Sequence, residues 1–91
     1  MSGIDLGTRR RRALWRATHR GSKEMDFLLG RFAAQKLNGM MGPDLTVLER
    51  LIDVADPEIE RSLYEGGSLG APDLDELMRH MRRFHGLSEA E

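Results

Sequence analysis

Prolines and glycines divide this chain into segments of helical length. Pro43, Pro57 and Pro72 each stand just before a run with apolar residues at helical spacing, and proline is favoured in the first turn of a helix. Glycines follow the ends of such runs, because glycine readily adopts the left-handed conformation that closes a helix. These glycines are Gly21, Gly39, Gly66 and Gly86. No segment alternates apolar and polar residues as a half-buried strand does. The pattern therefore predicts an all-α fold, a small five-helix bundle.

The length of the chain, 91 residues, suits a single small domain. We expect the bundle over residues 9–86, with a flexible N-terminus over 1–8 and a flexible C-terminus over 87–91. The absence of cysteine excludes disulfides, thiolate metal sites and cysteine catalysis. Apolar runs are far shorter than the roughly 20 residues that cross a bilayer, so we expect no membrane insertion. No presequence is visible, which favours a bacterial cytoplasm over the mitochondrial matrix.

The first two predicted helices have clear start signals. Thr8 is the expected N-cap of a helix over residues 9–19, in which Leu14 and Ala17 face the core. Ser22 is the expected N-cap of the second helix. The apolar stripe of that helix is the most regular in the chain and consists of Met25, Leu28, Leu29 and Phe32.

The remaining helices are predicted from proline positions. Pro43 marks the start that we prefer for the third helix, although Thr46 is a rival N-cap with Glu49 in capping-box spacing. The face expected to be buried is Leu45, Leu48, Ile52 and Ala55. Asp56 is the expected cap of the short fourth helix, just before Pro57. The fifth helix carries an apolar face of Leu74, Leu77, Met78 and Met81.

Charge is distributed unevenly along the chain. Residues 1–36 carry nine Lys and Arg against three Asp and Glu, which gives +6, and residues 37–91 carry five against twelve, which gives −7. The arginine run 9–12 makes a basic-helix, nucleic-acid-binding regulatory protein the alternative function. However, consecutive residues of a helix point in different directions and the acidic half would repel phosphate. A solvated face is therefore the preferred interpretation, followed by attraction to the surface of a partner.

Chemical groups suited to catalysis or metal binding are scattered. The three histidines do not share a helix face at metal-ligand spacing, and no glycine cluster matches a phosphate loop. We therefore expect no metal site and no enzymatic activity.

The corner between the first and second predicted helices is the most informative stretch. Arg20 supplies a planar donor fork and Glu24 a carboxylate about one turn further on, with Gly21 between them. Two interpretations are open at this point. Arg20 and Glu24 either pair with each other across the turn, or project outward together toward a partner.

The sequence of this corner is RGSKEMD, followed closely by LLGRFA. It resembles the succinate dehydrogenase assembly factor family, whose hallmark is R-G-x-x-E and whose members promote covalent flavin attachment. The similarity extends upstream to Trp15 and Arg16, and downstream to Asp53 and the stretch Asp56-Pro57-Glu58-Ile59. It covers roughly residues 9–85.

The resemblance implies a function and a set of contact residues. Members of this family are small helical bundles that bind the flavoprotein subunit of succinate dehydrogenase, and often that of fumarate reductase. It thus implies an assembly chaperone with no catalytic residue and no cofactor of its own, because FAD is carried by the client and linked by the client's chemistry. We expect a monomer when free. The partner-binding residues implied by position are Trp15, Arg16, Arg20, Gly21, Glu24, Asp26 and Asp56.

Overall fold

The computed structural model describes residues 5–87. Over this range the chain forms five α-helices and no strand, which confirms the all-α prediction. The helices are α1 (Leu6–Thr18), α2 (Lys23–Lys36), α3 (Gly42–Ile52), α4 (Asp56–Glu65) and α5 (Pro72–Phe84), with a 3₁₀ turn at Leu37–Gly39. Helix α1 begins inside the segment that we expected to be flexible. The outer parts of the predicted flexible termini, 1–4 and 88–91, lie outside the described residues.

Three of the predicted helix starts are confirmed, at Ser22, Pro43 and Pro72, and two of the predicted caps, Thr8 and Asp56, are wrong. Ser22 caps α2, since its side chain accepts a hydrogen bond from a backbone N–H three residues on, at 3.2 Å. Pro43 lies in the first turn of α3, as preferred. Thr8 is not the cap of α1. That position belongs to Asp5, whose carboxylate accepts from the backbone N–H of Thr8 at 2.8 Å.

The junction between α3 and α4 differs from the prediction at two residues. Ala55 is exposed and serves as the N-cap of α4, so it does not continue the buried face of α3. Leu51 completes that face instead. Asp56 is the first residue of α4 rather than its cap, and its carboxylate is occupied by a cation from another helix. That contact belongs to the candidate site described below.

Helices α1 and α2 pack closely through small residues. Ala17 is buried, as predicted, but Leu14 is 36% exposed, and Ala13 takes its place as the second buried residue of α1. Across the interface lies Gly30, where an added Cβ would stand 2.8 Å from Cγ2 of Thr18. The close approach of the two backbones leaves no room for a larger side chain at this crossing.

The core lies between all five helices, and the predicted stripes of α2 and α5 both face it. Its largest fully buried side chains include Met25, Leu29, Phe32, Leu45, Leu48, Ile59, Leu63, Met78 and Met81. Within residues 5–87, no helix is long and apolar enough to cross a membrane.

Two residues of the arginine run attach α1 to the rest of the bundle. Arg9 donates two hydrogen bonds to the carboxylate of Glu49 on α3, at 2.8 and 3.1 Å, and a third to Thr46 at 3.0 Å. Arg10 donates to the backbone carbonyl of Met40 at 2.6 Å. A bidentate arginine–carboxylate pair fixes geometry as well as charge. Half of the run is therefore structural, which corrects our interpretation of it as a solvated face.

Candidate functional site

The turn between α1 and α2 depends on the backbone conformation of one glycine. Gly21 has φ of 102°, in the region that side chains with a Cβ rarely adopt. Apart from the glycine and its two chain neighbours, no atom of residues 5–87 would lie within 4 Å of a Cβ placed there, and the residue is exposed. The glycine is thus required by conformation and not by crowding, and the outer side of the turn is open.

Arg20 points inward from this turn, and its guanidinium contacts one carboxylate and two backbone carbonyls. Its side chain is only 11% exposed, and it forms an ion pair with Asp56 at 2.7 Å, reinforced by a second hydrogen bond from Nε at 2.9 Å. The guanidinium also donates to the backbone carbonyls of Ile52, at 2.7 Å, and Val54, at 3.0 Å. Carbonyls at the end of a helix lack partners within it, so Arg20 satisfies the C-terminus of α3 while joining it to α4.

This geometry overturns both of the interpretations that we left open for Arg20. Its guanidinium does not project outward, and the carboxylate that it pairs with is not that of Glu24. Four directed donors in a planar fork match this site, which a lysine could not reproduce. Whether Arg20 contributes to partner binding beyond shaping the corner stays a prediction.

Asp26 secures the same turn from the side of α2. Its carboxylate accepts a hydrogen bond from the backbone N–H of Arg20. Asp26 also lies in the first turn of α2, where a carboxylate is favoured by the unpaired N–H groups of the helix. The half-buried Asp26 and Arg20 therefore form an inner framework, together with Asp56, that holds the turn in one shape.

Glu24 faces the solvent on the outer side of this framework. Its Oε2 accepts a hydrogen bond from the hydroxyl of Tyr64 on α4 at 2.7 Å. The hydrogen bond to Glu24 raises the pKa of Tyr64 above its ordinary value, with smaller contributions from burial and from the negative charge of Glu24. Tyr64 was not among the residues that we predicted, because nothing in a sequence shows which residue 40 positions away will meet a given carboxylate.

Trp15 and Arg16 lie at the end of α1, near the same corner. Trp15 is 62% exposed, and its ring stacks on the ring of His19 with centroids 4.2 Å apart. Arg16 forms an exposed ion pair with Asp53, at the end of α3. The α3–α4 junction is thus tied to the end of α1 at the surface, by Arg16, and to the following turn in the interior, by Arg20.

The seven predicted residues consequently divide into two groups. The inner framework consists of Arg20, Asp26 and Asp56. The remaining four are exposed, and with Tyr64 they define what we call the outer corner: Trp15, Arg16, Gly21, Glu24 and Tyr64. The outer corner presents aromatic rings, a guanidinium and a carboxylate on rigid elements.

Comparison with known proteins assigns the chain to a family. A protein-family model described as Sdh5, "Flavinator of succinate dehydrogenase", matches residues 11–85. The chain belongs to this family. The match includes all seven predicted contact residues and all five helices except the start of α1, so the family assignment applies to the whole bundle.

A curated bacterial relative supports the assignment. The chain is 38% identical over 69 residues to a protein of Acetobacter pasteurianus named "FAD assembly factor SdhE". That alignment covers 76% of this chain and 62% of the relative, so the chain matches somewhat less than two thirds of the relative's length. The comparison with solved structures gave no match. None of these findings supports the nucleic-acid alternative.

Elsewhere on the described surface we looked for a cleft or a cluster of metal ligands that could form a second site. A cleft of about 500 Å³ lies between the end of α2, α3 and α5, lined in part by Met40, Val47 and Leu77. It shares no residue with the corner. Within residues 5–87, no three His, Cys, Asp or Glu side chains gather in a way that could hold a metal ion.

Proposed function

We propose that this chain is an assembly factor that binds the flavoprotein subunit of succinate dehydrogenase and promotes the covalent attachment of FAD to it. The observation that carries the proposal is the open turn at Gly21, with the carboxylate of Glu24 exposed beside it on a framework fixed by Arg20. Membership of the family described as flavinators of succinate dehydrogenase supports the choice of client. Fumarate reductase flavoprotein is a second client under the same proposal.

The chain acts by binding and not by chemistry of its own. FAD belongs to the client, whose own groups form the bond to the flavin. An assembly factor changes the rate or extent of that step only if it binds one conformation of the client more tightly than the others. A rigid corner suits this task because little conformational entropy is lost when it binds. The chain is a monomer before it meets the client and acts in the bacterial cytoplasm.

The inner framework and the outer corner have separate roles in this mechanism. The pair of Arg20 with Asp56 keeps the turn in the shape that presents Gly21 and Glu24. The exposed groups make the contacts, with the Glu24 carboxylate as a charged acceptor and the Trp15 ring as an apolar surface. Aromatic and arginine side chains commonly supply most of the binding energy in protein interfaces.

Covalent flavin on the client tests this proposal. Client flavoprotein produced with the chain, with Glu24→Ala, or without any factor is denatured, separated on a gel and examined for flavin fluorescence. We expect strong fluorescence with the natural chain and little with Glu24→Ala. Glu76→Ala is the matched control, because Glu76 is also an exposed glutamate near the start of a helix but lies on α5, away from the corner. Full labelling by folded Glu24→Ala would refute the role of the corner.

A further inference from the structure

The hydrogen bond between Tyr64 and Glu24 joins two elements that are far apart in the sequence. Tyr64 is the second-last residue of α4, and Glu24 is the second residue of α2. Leu63, the residue before Tyr64, is fully buried, so the side chain of Tyr64 lies at the surface. Gly66, with φ of 80°, ends α4 directly afterwards. The fold of α4 therefore sets where the phenol lies.

The contact has the features of a charge-assisted hydrogen bond. Its length of 2.7 Å is at the short end for a hydroxyl donor, as expected when the acceptor is an ionised carboxylate. Only Oε2 of Glu24 is used. Within residues 5–87, no protein group donates a hydrogen bond to the other carboxylate oxygen, Oε1, and Glu24 is exposed. The phenol thus holds one oxygen and leaves the second available.

We propose that Tyr64 is a positioning residue for Glu24, which fixes the carboxylate so that its free oxygen is presented to the client. This role rests on the proposed function. A glutamate in the first turn of a helix otherwise samples several rotamers, and each side chain that must be immobilised on binding weakens the complex. Tyr64 removes that cost before the client arrives, and Tyr64 itself remains about half exposed.

Removal of the single hydroxyl tests the energetic part of this proposal. Tyr64→Phe keeps the ring and deletes the donor, and its affinity for client flavoprotein is measured beside that of Glu24→Ala and the double variant. We expect Tyr64→Phe to raise Kd about 2- to 10-fold, the effect of freeing one long side chain. In the Glu24→Ala background the same change should have no effect, because the group that it positions is gone. Equal losses in both backgrounds would overturn the proposal.

A spectroscopic measurement on the free chain tests the contact without the client. Tyr64 is the single tyrosine of the sequence, so ultraviolet absorbance during an alkaline titration reports this one phenol. We expect its pKa to lie above the ordinary 10.0 and to return toward that value in Glu24→Ala. An unchanged titration would show that the two groups do not interact in solution and would overturn the proposal. Circular dichroism recorded over the same pH range checks that the natural chain and Glu24→Ala keep their helices while the phenol ionises.

The affinities of Glu24→Ala and Tyr64→Phe for the client also separate this proposal from the proposed function. If Glu24→Ala loses client binding while Tyr64→Phe does not, only the positioning role fails and the docking corner stands. If Glu24→Ala binds the client as well as the natural chain does, the docking role of the corner fails, and the positioning role fails with it.

Discussion

Replacing Arg20 with alanine should destabilise the whole bundle, although the R-G-x-x-E motif suggests at first that this residue is reserved for a partner. The change removes two hydrogen bonds to Asp56 and one each to the carbonyls of Ile52 and Val54. It also leaves the Asp56 carboxylate, whose side chain is 25% exposed, without its cation. Stability and client binding are therefore both expected to depend on Arg20, for different reasons.

The size of the loss follows from the burial of the pair. Breaking a fully buried ion pair by removing one partner costs about 3–5 kcal/mol, and a hydrogen bond to a charged group contributes about 1.5–3 kcal/mol. Water reaches part of Asp56 and recovers some of this, so we expect Arg20→Ala to cost about 2–4 kcal/mol. For a domain of this size, such a loss lowers Tm by roughly 10–30 °C.

Thermal and urea unfolding followed by circular dichroism measure this loss. Arg16→Ala is the matched control, because its ion pair with Asp53 is 47% and 66% exposed on its two sides and contributes about 0–1 kcal/mol. Arg20→Lys keeps the charge but not the planar fork, and should fall between the two. If Arg20→Ala unfolds at the same temperature as Arg16→Ala, the inner framework does not hold the corner together and the reasoning fails.

Three further predictions concern the turn, the helix crossing and acid stability. Gly21→Ala forces a side chain into a positive φ without crowding, so it should cost about 1–3 kcal/mol in urea unfolding, and an unaltered midpoint would contradict the geometry of the turn. Gly30→Ala places a Cβ against Thr18 and should cost about 1–3 kcal/mol, much of which Thr18→Ser should restore. The pKa of Asp75 is lowered, first by the Ser68 hydroxyl and then by a backbone N–H, so its contribution is present above the ordinary 3.8 and is lost as the pH falls through the lowered value. Asp75→Asn should therefore weaken the acid dependence of unfolding; an identical pH profile would contradict this.

Local signals were sufficient to predict the helices. Pro43 lies in the first turn of α3 and Pro72 begins α5, because proline fits the first turn of a helix. Ser22 caps α2 because its hydroxyl reaches an unpaired N–H. These effects act over three or four residues, and a sequence displays them directly. The corner at Gly21 was likewise visible, since a left-handed turn between two helices favours glycine.

Packing between helices was harder to predict, because it depends on what lies opposite. Leu14 seemed the better core residue of α1 on hydrophobicity, yet Ala13 faces the interior. One turn further along α1, Ala17 and Thr18 lie against Gly30, whose missing side chain lets the two backbones approach so closely that only small residues fit there. A ranking of residues by hydrophobicity contains no information about such a crossing.

The partners of the charged residues could not be predicted either. Arg20 meets Asp56 across 36 positions and Glu24 meets Tyr64 across 40, in both cases because the α3–α4 unit folds back on the α1–α2 corner. The motif drew attention to this corner, but it contains no information about which side chains point inward. The structure adds that Arg20 holds the turn from inside, while Glu24 is presented on its surface.

A crosslinking measurement tests the central claim, that the outer corner is the surface that meets the client. The natural sequence contains no cysteine, so one introduced cysteine carries a photo-crosslinker at a single known position. Lys23→Cys places it on an exposed residue beside Glu24, and Glu76→Cys places it on α5, away from the corner. We predict crosslinks to the flavoprotein subunit of succinate dehydrogenase from position 23 and not from position 76. Efficient crosslinking from position 76 with none from position 23 would contradict the account.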